Sequence, residues 1–365
     1  MGPTYPAARV VAERIHTRLE SNSEKFDQPG FAPKATAPVI EEVISAAFWA
    51  SLRREEGRAP TISLAFVPPD KVHRPVIFSN SLPLDPDLLV RLAPAVERPG
   101  IHLGVWMYED QLRVWGTTRM VPTWCFVLEV IAPGLLVVKF RRAEPSTKFA
   151  NIAVLDGANV RFIARQDGII SELPAALGSL LTFYSSGGRE ESDNILVRLA
   201  NSIRAHQRGG SLLVVPGGNE AWRESVVQPI SYSVSAPFSE IDDLAPDSDG
   251  LRAAIDFLAG WTAVDGATVI SDRFALLASA VKIVSRDATR RVERILVTEP
   301  FEGSEPTVVK PSQLGNTRHL SAAQFVHDQR DSVALVASQD GRFTVFSWSP
   351  SREIVHAHRL EALLL

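Results

Sequence analysis

The sequence contains very little cysteine. Its single cysteine, Cys125, lies inside the apolar run "TWCFVLEVI". One cysteine excludes a disulfide framework and a cysteine-rich metal site. We expect Cys125 to be buried as a small hydrophobic residue.

Long apolar runs and strong net charge are also missing. The chain has no uninterrupted apolar stretch of about 18 residues, and its first twenty residues lack the apolar segment of a signal peptide. We therefore expect a cytoplasmic protein without a membrane partner. A net charge of −4 is too small for bulk attraction of polyphosphate or nucleic acid. We expect no nucleic-acid partner, and any nucleotide site must be built locally.

The composition is that of a globular protein of two domains. Hydrophobic residues make up 45% and charged residues 22% of 365 residues. The Gly/Ser-rich, charged segment "FYSSGGREESDN" is the best candidate for the boundary, near residue 187. The sequence therefore predicts a first domain over 1–186 and a second domain over 187–365.

The two halves have different element patterns. Helices are predicted at Ala8–Glu20 and from about Val39 to Arg54, followed by short β-branched runs that predict an α+β domain rich in antiparallel strands. In the second half helices alternate with buried strands, beginning with a helix that starts after Ser192 or Asp193 and stops at Gly209. This alternation predicts a mixed central sheet flanked by helices, so the fold class is α/β.

The triplet Asp-Gly-Ala occurs twice, at Asp156–Ala158 and at Asp265–Ala267. The first copy stands between two strand-like runs, where Asp-Gly is a hairpin signal and needs no catalytic explanation. The second copy follows a predicted helix and begins a strand. Such junctions hold catalytic carboxylates rigidly while leaving them exposed.

Two downstream segments, "LGNTRHLSAAQFV" and "VALVASQDGRFTVF", follow the second triplet. Together the three segments resemble the diadenylate cyclase domain, which makes cyclic di-AMP from two ATP. The resemblance covers roughly residues 190 to 365. The residues that match its motifs are Asp265, Gly266, Ala267, Thr317, Arg318, His319, Ser338, Asp340 and Gly341.

The resemblance implies a role for each matching residue. Asp265, Arg318 and His319 would be catalytic, with Asp265 and Asp340 holding Mg²⁺ or Mn²⁺ and with Arg318 and His319 binding the triphosphate. The remaining nucleotide contacts would come from Gly266, Ala267, Thr317 and Ser338. The substrate would be ATP, and two such domains would meet face to face in a homodimer.

The sequence departs from the family pattern at two positions. Leu320 replaces the second arginine of the family's Arg-His-Arg motif, and Gln339 stands where the family often has an acid. An arginine–phosphate contact is worth roughly 1.5–3 kcal/mol, so Leu320→Arg is predicted to tighten ATP binding or raise turnover. Arg330 or Arg342 are candidates to supply the missing charge.

The N-terminal half resembles the β-rich sensor domains called DACNV, which precede some diadenylate cyclase domains. The leading hypothesis is therefore a sensor-linked diadenylate cyclase. Two alternatives remain open: a degenerate nucleotide-binding regulatory protein without cyclase activity, and an interaction scaffold that binds no nucleotide.

Each site residue also has an ordinary structural interpretation. His319 fits a helix N-terminal residue bonded to backbone, Arg318 fits a surface ion pair, and Asp340-Gly341 fits a hairpin turn. Outside the motifs, Trp106, Trp115 and Trp124 are expected in the core. His356 and His358 are expected in a solvated tail, on one face if the segment is extended.

Overall fold

The computed structural model describes residues 5–20, 30–141, 149–164, 195–231, 249–287, 291–339 and 341–365. The chain divides into two compact units, within residues 1–163 and 164–364. The boundary predicted near residue 187 lies outside the described residues, as do the helix-capping residues Ser192 and Asp193. Both stay predictions.

The first unit combines helices with one sheet. Its helices are α1 (Pro6–Glu20), α2 (Ala37–Ser51) and α3 (Pro86–Leu92). Its strands are β1 (Ile62–Phe66), β2 (Val76–Pro83), β3 (His102–Tyr108), β4 (Gln111–Thr118), β5 (Phe126–Ala132), β6 (Leu135–Arg141), β7 (Phe149–Asp156) and β8 (Asn159–Phe162).

The described strands of the first unit pair in the order β2-β4-β3-β1-β5-β6-β7-β8. Only the β1–β3 pair is parallel among these strands. One face of the sheet packs its apolar side chains against α1 and α2, with Ile15, Ile44 and Leu64 in the shared core. The predicted antiparallel sheet with packed helices is confirmed.

The second unit alternates helices and strands. Its helices are α4 (Ile195–Ala205), α5 (Asp249–Thr262) and α6 (Thr317–Asp328). Its strands are β9 (Gly210–Val215), β10 (Val226–Val227), β11 (Ile230–Ser231), β12 (Ala267–Ser271), β13 (Leu276–Ile283), β14 (Ile295–Thr298), β15 (Thr307–Val309), β16 (Val333–Ala337), β17 (Phe343–Ser349) and β18 (Ile354–Arg359).

The sheet of the second unit is mixed, as predicted. Its described strands run in the order β10-β13-β12-β9-β16-β17-β18-β14-β15, with β11 also paired to β13. The β9–β12 and β14–β18 pairs are parallel and the others antiparallel. Helix α6 buries Ala322, Phe325 and Val326 in the core on one face. The α/β fold class is therefore confirmed.

Several elements were not predicted from the sequence. Helix α3 begins after Asp85, whose carboxylate accepts hydrogen bonds from the main-chain N–H of Asp87 and Leu88. Strands β14 and β18 were missed because neither has turn residues on both sides that would set it apart as a separate run. Both are buried strands of the mixed sheet.

The prediction that His356 and His358 belong to a solvated tail is wrong. Both lie in β18 and are 9% and 2% exposed. Their side chains share one face, with ring centroids 3.7 Å apart. The Thr298 hydroxyl lies 3.0 Å from His356 Nε2 and 3.1 Å from His358 Nδ1. Burial, together with the neighbouring His356, lowers the pKa of His358 well below its usual value.

The prediction for Cys125 is confirmed, and the three tryptophans pack in the core, with Trp115 fully buried and Trp106 and Trp124 partly buried. Cys125 is fully buried, and burial raises the pKa of its thiol. Trp115 is also buried and donates from Nε1 to the carbonyl oxygen of Val67 over 2.7 Å. Among the helices of the described residues, none is both long and apolar enough to cross a bilayer.

Candidate functional site

The two Asp-Gly-Ala triplets occupy different settings. Asp156 is the last residue of β7 and pairs with Asn159 of β8 across a two-residue turn, in which Gly157 has φ of 54°. The first triplet is therefore a hairpin turn, as predicted. Asp265 lies between the end of α5 at Thr262 and the start of β12 at Ala267, at the helix-to-strand junction predicted for it.

A pocket of about 390 Å³ opens beside the second triplet. It lies where the parallel strands β9 and β12 begin, since Ser211 and Ala267 stand at their N-terminal ends. The last residues of β13 and the first turn of α6 complete its wall. The lining residues are Ser211, Asp265, Gly266, Ala267, Val281, Lys282, Ile283, Asn316, Thr317, Arg318 and Ser321.

Gly266 is required by the close approach of β13. Its φ is 105°, and a Cβ at this position would lie 2.7 Å from the carbonyl oxygen of Val281. The strand β13 bulges here, because Ala267 pairs with Val281 while Val269 pairs with Ala278. Because glycine has no Cβ, the backbone of the triplet can lie against the bulged part of β13. In this position Asp265 lines the pocket.

The first turn of α6 brings the second motif to the same pocket. The Asn316 side chain caps the helix by accepting a hydrogen bond from the main-chain N–H of Arg318 over 3.1 Å. This cap fixes where the helix begins. Thr317 and Ser321, one turn apart, both line the pocket beside Arg318.

Arg318 also lies near the turn between β16 and β17. A Cβ built on Gly209 would be 2.9 Å from Arg318 Nη1, 3.0 Å from the carbonyl oxygen of Ala337 and 3.4 Å from the main-chain nitrogen of Gln339. The Arg318 guanidinium and the start of the β16–β17 turn therefore both lie against Gly209, which has no side chain to separate them. The surface ion pair considered for Arg318 is absent among the described residues.

The ring of His319 points away from the pocket. His319 is 3% exposed, and its Nδ1 lies 3.0 Å from the Oδ1 of Asn316. Its Nε2 lies 3.5 Å from the Thr344 hydroxyl, and the ring packs edge-on against Phe346. His319 is therefore placed to hold the capping residue Asn316, and the geometry does not support direct contact with a triphosphate.

The third motif contributes a turn. The main-chain N–H of Ser338 donates to the carbonyl oxygen of Arg342 over 2.9 Å, and Gly341 has φ of 84°. The hairpin considered for this segment is confirmed. Ser338 is not among the residues that line the pocket. Asp340 lies outside the described residues, so its predicted role as a metal ligand stays a prediction.

The proposed replacements for the missing arginine lie elsewhere. Leu320 is 37% exposed and does not line the pocket. Arg330 stacks over the Trp348 ring at 4.0 Å, and neither Arg330 nor Arg342 lines the pocket. Compensation by either arginine is therefore not supported by the geometry.

Among the described residues that line the pocket, one carries a carboxylate and two are cations. Asp265, Lys282 and Arg318 line the same space. No ion pair joins any of the three to another residue within the described ranges. These two cations and the hydroxyl groups of the described lining suit a phosphate-bearing ligand.

The donor set also fits Mg²⁺ or Mn²⁺ arriving with such a ligand. These ions prefer oxygen ligands and are commonly bound by one or two carboxylates together with water and substrate phosphates. Asp265 provides one carboxylate at the wall. No cluster of three or more metal-ligating side chains occurs within the described parts of the chain, so the ligand itself would have to complete the coordination.

Sequence reasoning missed Ser211, Lys282 and Ser321 as pocket residues. Lys282 had one visible signal, because it is the charged residue in the apolar run "LLASAVKIV". Ser321 follows Thr317 at helical spacing. Ser211 lies in β9 and reaches the pocket only through its pairing with neighbouring strands, which no local pattern reveals.

Comparison with known families gives a match within the first unit. Residues 30–119 match the family model described as "Probable sensor domain DACNV". These residues run from the segment before α2 through β4, so the resemblance predicted for the N-terminal half is confirmed over that range. A search of curated proteins found no match to the chain.

Proposed function

We propose that the chain is a diadenylate cyclase that condenses two ATP into cyclic di-AMP and pyrophosphate, under control of its N-terminal sensor domain. The observation that carries the proposal is the convergence of two separate motifs on one pocket. The Asp265 triplet and the Thr317-Arg318 pair lie about fifty residues apart in the sequence, yet both line it. The sensor-domain match in the first unit is the context in which such a domain is expected.

Each ATP would react through its 3′-hydroxyl with the α-phosphorus of the other ATP. The new O3′–P bond forms as the bond to the β-phosphate oxygen breaks, its electron pair leaves with pyrophosphate, and the hydroxyl proton passes to solvent. Two such steps close the ring and release two pyrophosphates. A bound Mg²⁺ or Mn²⁺ would neutralise charge on the phosphates and acidify the hydroxyl.

Different pocket residues would contact the cation, the phosphates and the rest of the nucleotide. Asp265 would hold the cation, and Arg318 would bind phosphate oxygens and stabilise the charge that develops at phosphorus. The hydroxyl groups of Thr317, Ser321 and Ser211 would donate hydrogen bonds to the nucleotide. His319 would act through Asn316 by keeping the start of α6 in place.

The chemistry requires two nucleotides on facing copies of the site. One pocket that holds one ATP cannot supply both nucleophile and electrophile, so two chains would meet through an isologous contact. Val264 and Leu320, which adjoin the two motifs in sequence, are exposed apolar side chains. They suit a surface that is covered when two pockets face each other.

The test is product formation by the purified full-length chain. Incubation with ATP and Mg²⁺, Mn²⁺ or Co²⁺ should yield cyclic di-AMP and two pyrophosphates, resolved by mass spectrometry. ATP binding without any cyclic dinucleotide would contradict the cyclase proposal.

That second outcome would favour a degenerate nucleotide-binding regulatory protein. The observation that favours this alternative is Leu320, which carries no charge and lies outside the pocket lining. Calorimetry with ATP separates this protein from an interaction scaffold that binds no nucleotide.

A further inference from the structure

Lys282 reaches the pocket because of the bulge in β13. Ala278 and Val281 lie three residues apart, and in a regular strand they would face opposite sides. Both nevertheless belong to the same core cluster. Their partners in β12, Ala267 and Val269, lie only two residues apart, so β13 contains one extra residue between them. Ala280 has a φ of 51° in this bulge. Beyond the bulge the strand turns Lys282 out of the core, with its side chain exposed at the pocket.

Strand β13 is paired on both of its edges around Lys282. Lys282 pairs with Val227 of β10, and the preceding Val281 pairs with Ala267 of the triplet. The lysine therefore lies one residue beyond the partner of Ala267. Its ammonium group extends from a paired strand rather than from a loop, which places it reproducibly beside the triplet.

The pocket has a charge requirement that Arg318 alone does not meet. A triphosphate carries several negative charges, and Arg318 is the other cation among the described residues that line the pocket. Leu320 lies outside the lining and is uncharged. A lysine supplies a point charge and three donors to phosphate oxygens without the fixed geometry that an arginine requires.

We propose that Lys282 is the second phosphate-binding cation of this pocket and takes the place of the charge that Leu320 lacks. The inference rests on the proposed function, since it assigns the residue to the phosphate chain of the same nucleotide. Arg318 approaches from the start of α6 and Lys282 from the end of β13. The two cations therefore reach the phosphates from different walls.

The test measures binding of two probes, ATP with Mg²⁺ and inorganic tripolyphosphate, to the full-length chain by calorimetry. Lys282→Met removes the charge and keeps the length, and it should weaken binding of both probes about tenfold. Lys282→Arg should stay close to the parent because it keeps the charge. Lys310→Met is the matched control, since Lys310 is an exposed lysine of the same unit outside the pocket lining.

Three outcomes distinguish this inference from the proposed function. If the parent binds ATP and Lys282→Met binds it equally well, the role of Lys282 is overturned and the proposed function stands. If Lys282→Met loses tripolyphosphate binding while the parent makes no cyclic dinucleotide, the lysine assignment stands and the cyclase proposal fails. If the parent binds neither probe, both are overturned.

Discussion

At the scale of single residues, Asp265 and Asp156 show how one triplet serves two purposes. Asp265 stands exposed at the wall of a pocket that also contains Arg318 and Lys282. Asp156 closes a hairpin next to Gly157, whose carbonyl oxygen accepts a hydrogen bond from the Tyr5 hydroxyl. Burial and the charge of Asp156 both raise the pKa of Tyr5. The first carboxylate thus lies at the wall of a pocket, and the second lies in an exposed hairpin turn.

Asp265→Asn should abolish cyclisation with little change in melting temperature. The substitution keeps the shape and removes the negative charge that would hold the cation. Product formation should fall by about 100-fold or more, since even the outer partners of metal ligands are worth roughly 10- to 100-fold.

Asp156→Asn is the control for that experiment. Asparagine suits the same turn, so its effect on stability should stay within about 0.5 kcal/mol. Product formation and melting temperature are measured for both variants. A fully active Asp265 variant, or a folded but inactive Asp156 variant, would reverse the roles of the two triplets.

At the scale of elements, the pocket depends on two local devices. One is the bulge of β13, over which Gly266 passes at positive φ. The other is the capped start of α6, where Asn316 receives both the Arg318 N–H and the ring of His319. The bulge positions the Asp265 triplet at the pocket, and the capped helix start positions Thr317 and Arg318 there. A substitution that disrupts either structure should therefore change the geometry of the pocket.

Gly266→Ala should destabilise the protein, whereas Gly260→Ala should not. Alanine at φ of 105° costs about 1–3 kcal/mol, and its Cβ would also meet the Val281 carbonyl oxygen. Gly260 lies inside α5, and a Cβ added there would have no neighbour within 4 Å, so alanine should add about 0.5–1 kcal/mol of stability. Urea-induced unfolding of the two variants and the parent measures the difference. Coincident midpoints for all three would contradict the strained approach over the bulge.

At the scale of the whole molecule, each unit has a hydrophobic core of its own. The sensor-domain match lies in the first unit, and the pocket lies in the second. The first unit contains a buried histidine, His102, whose Nδ1 lies 2.7 Å from the Ser63 hydroxyl. Burial lowers the pKa of His102 to about 4, with Glu129 opposing and Lys139 adding to the shift. His102 should therefore contribute to the loss of stability in acid, as should His358 of the second unit, whose pKa is also lowered by burial.

Stability should fall as the pH drops from about 6.5 towards 4. His102 stays neutral in the folded chain over this range, while the unfolded chain takes up the proton near its usual pKa of 6.5. The unfolded state then binds more protons, which removes on the order of 3 kcal/mol by pH 4. Melting temperatures between pH 7.5 and 4.5 measure the slope.

Two variants isolate the contribution of His102 to that slope. His102→Asn should reduce the slope, because one titrating group is removed while buried His358 still contributes, whatever the change in absolute stability. His73→Gln should leave it unchanged, since His73 is an exposed histidine of the same unit. An unaltered slope in the His102 variant would contradict the assignment.

The sequence by itself determined the element pattern and two of the pocket's segments. Alternating apolar residues and turn-forming Asp-Gly pairs predicted the hairpin at Asp156, and a helix followed by a strand predicted the junction at Asp265. The capped start of α6 was also readable, because Asn316 precedes an apolar periodic run. These features depend on neighbours in the chain, so local patterns suffice to predict them.

The tertiary structure alone decided which side chains share the pocket. Lys282 enters it through a bulge, Ser211 enters it through the pairing of β9 with β12, and His319 turns away towards β17. His356 and His358 became core residues for the same reason, because β18 lies between two other strands. The direction of a strand side chain depends on register with partners far away in the sequence. A shift of one residue reverses that direction, and no local periodicity sets it.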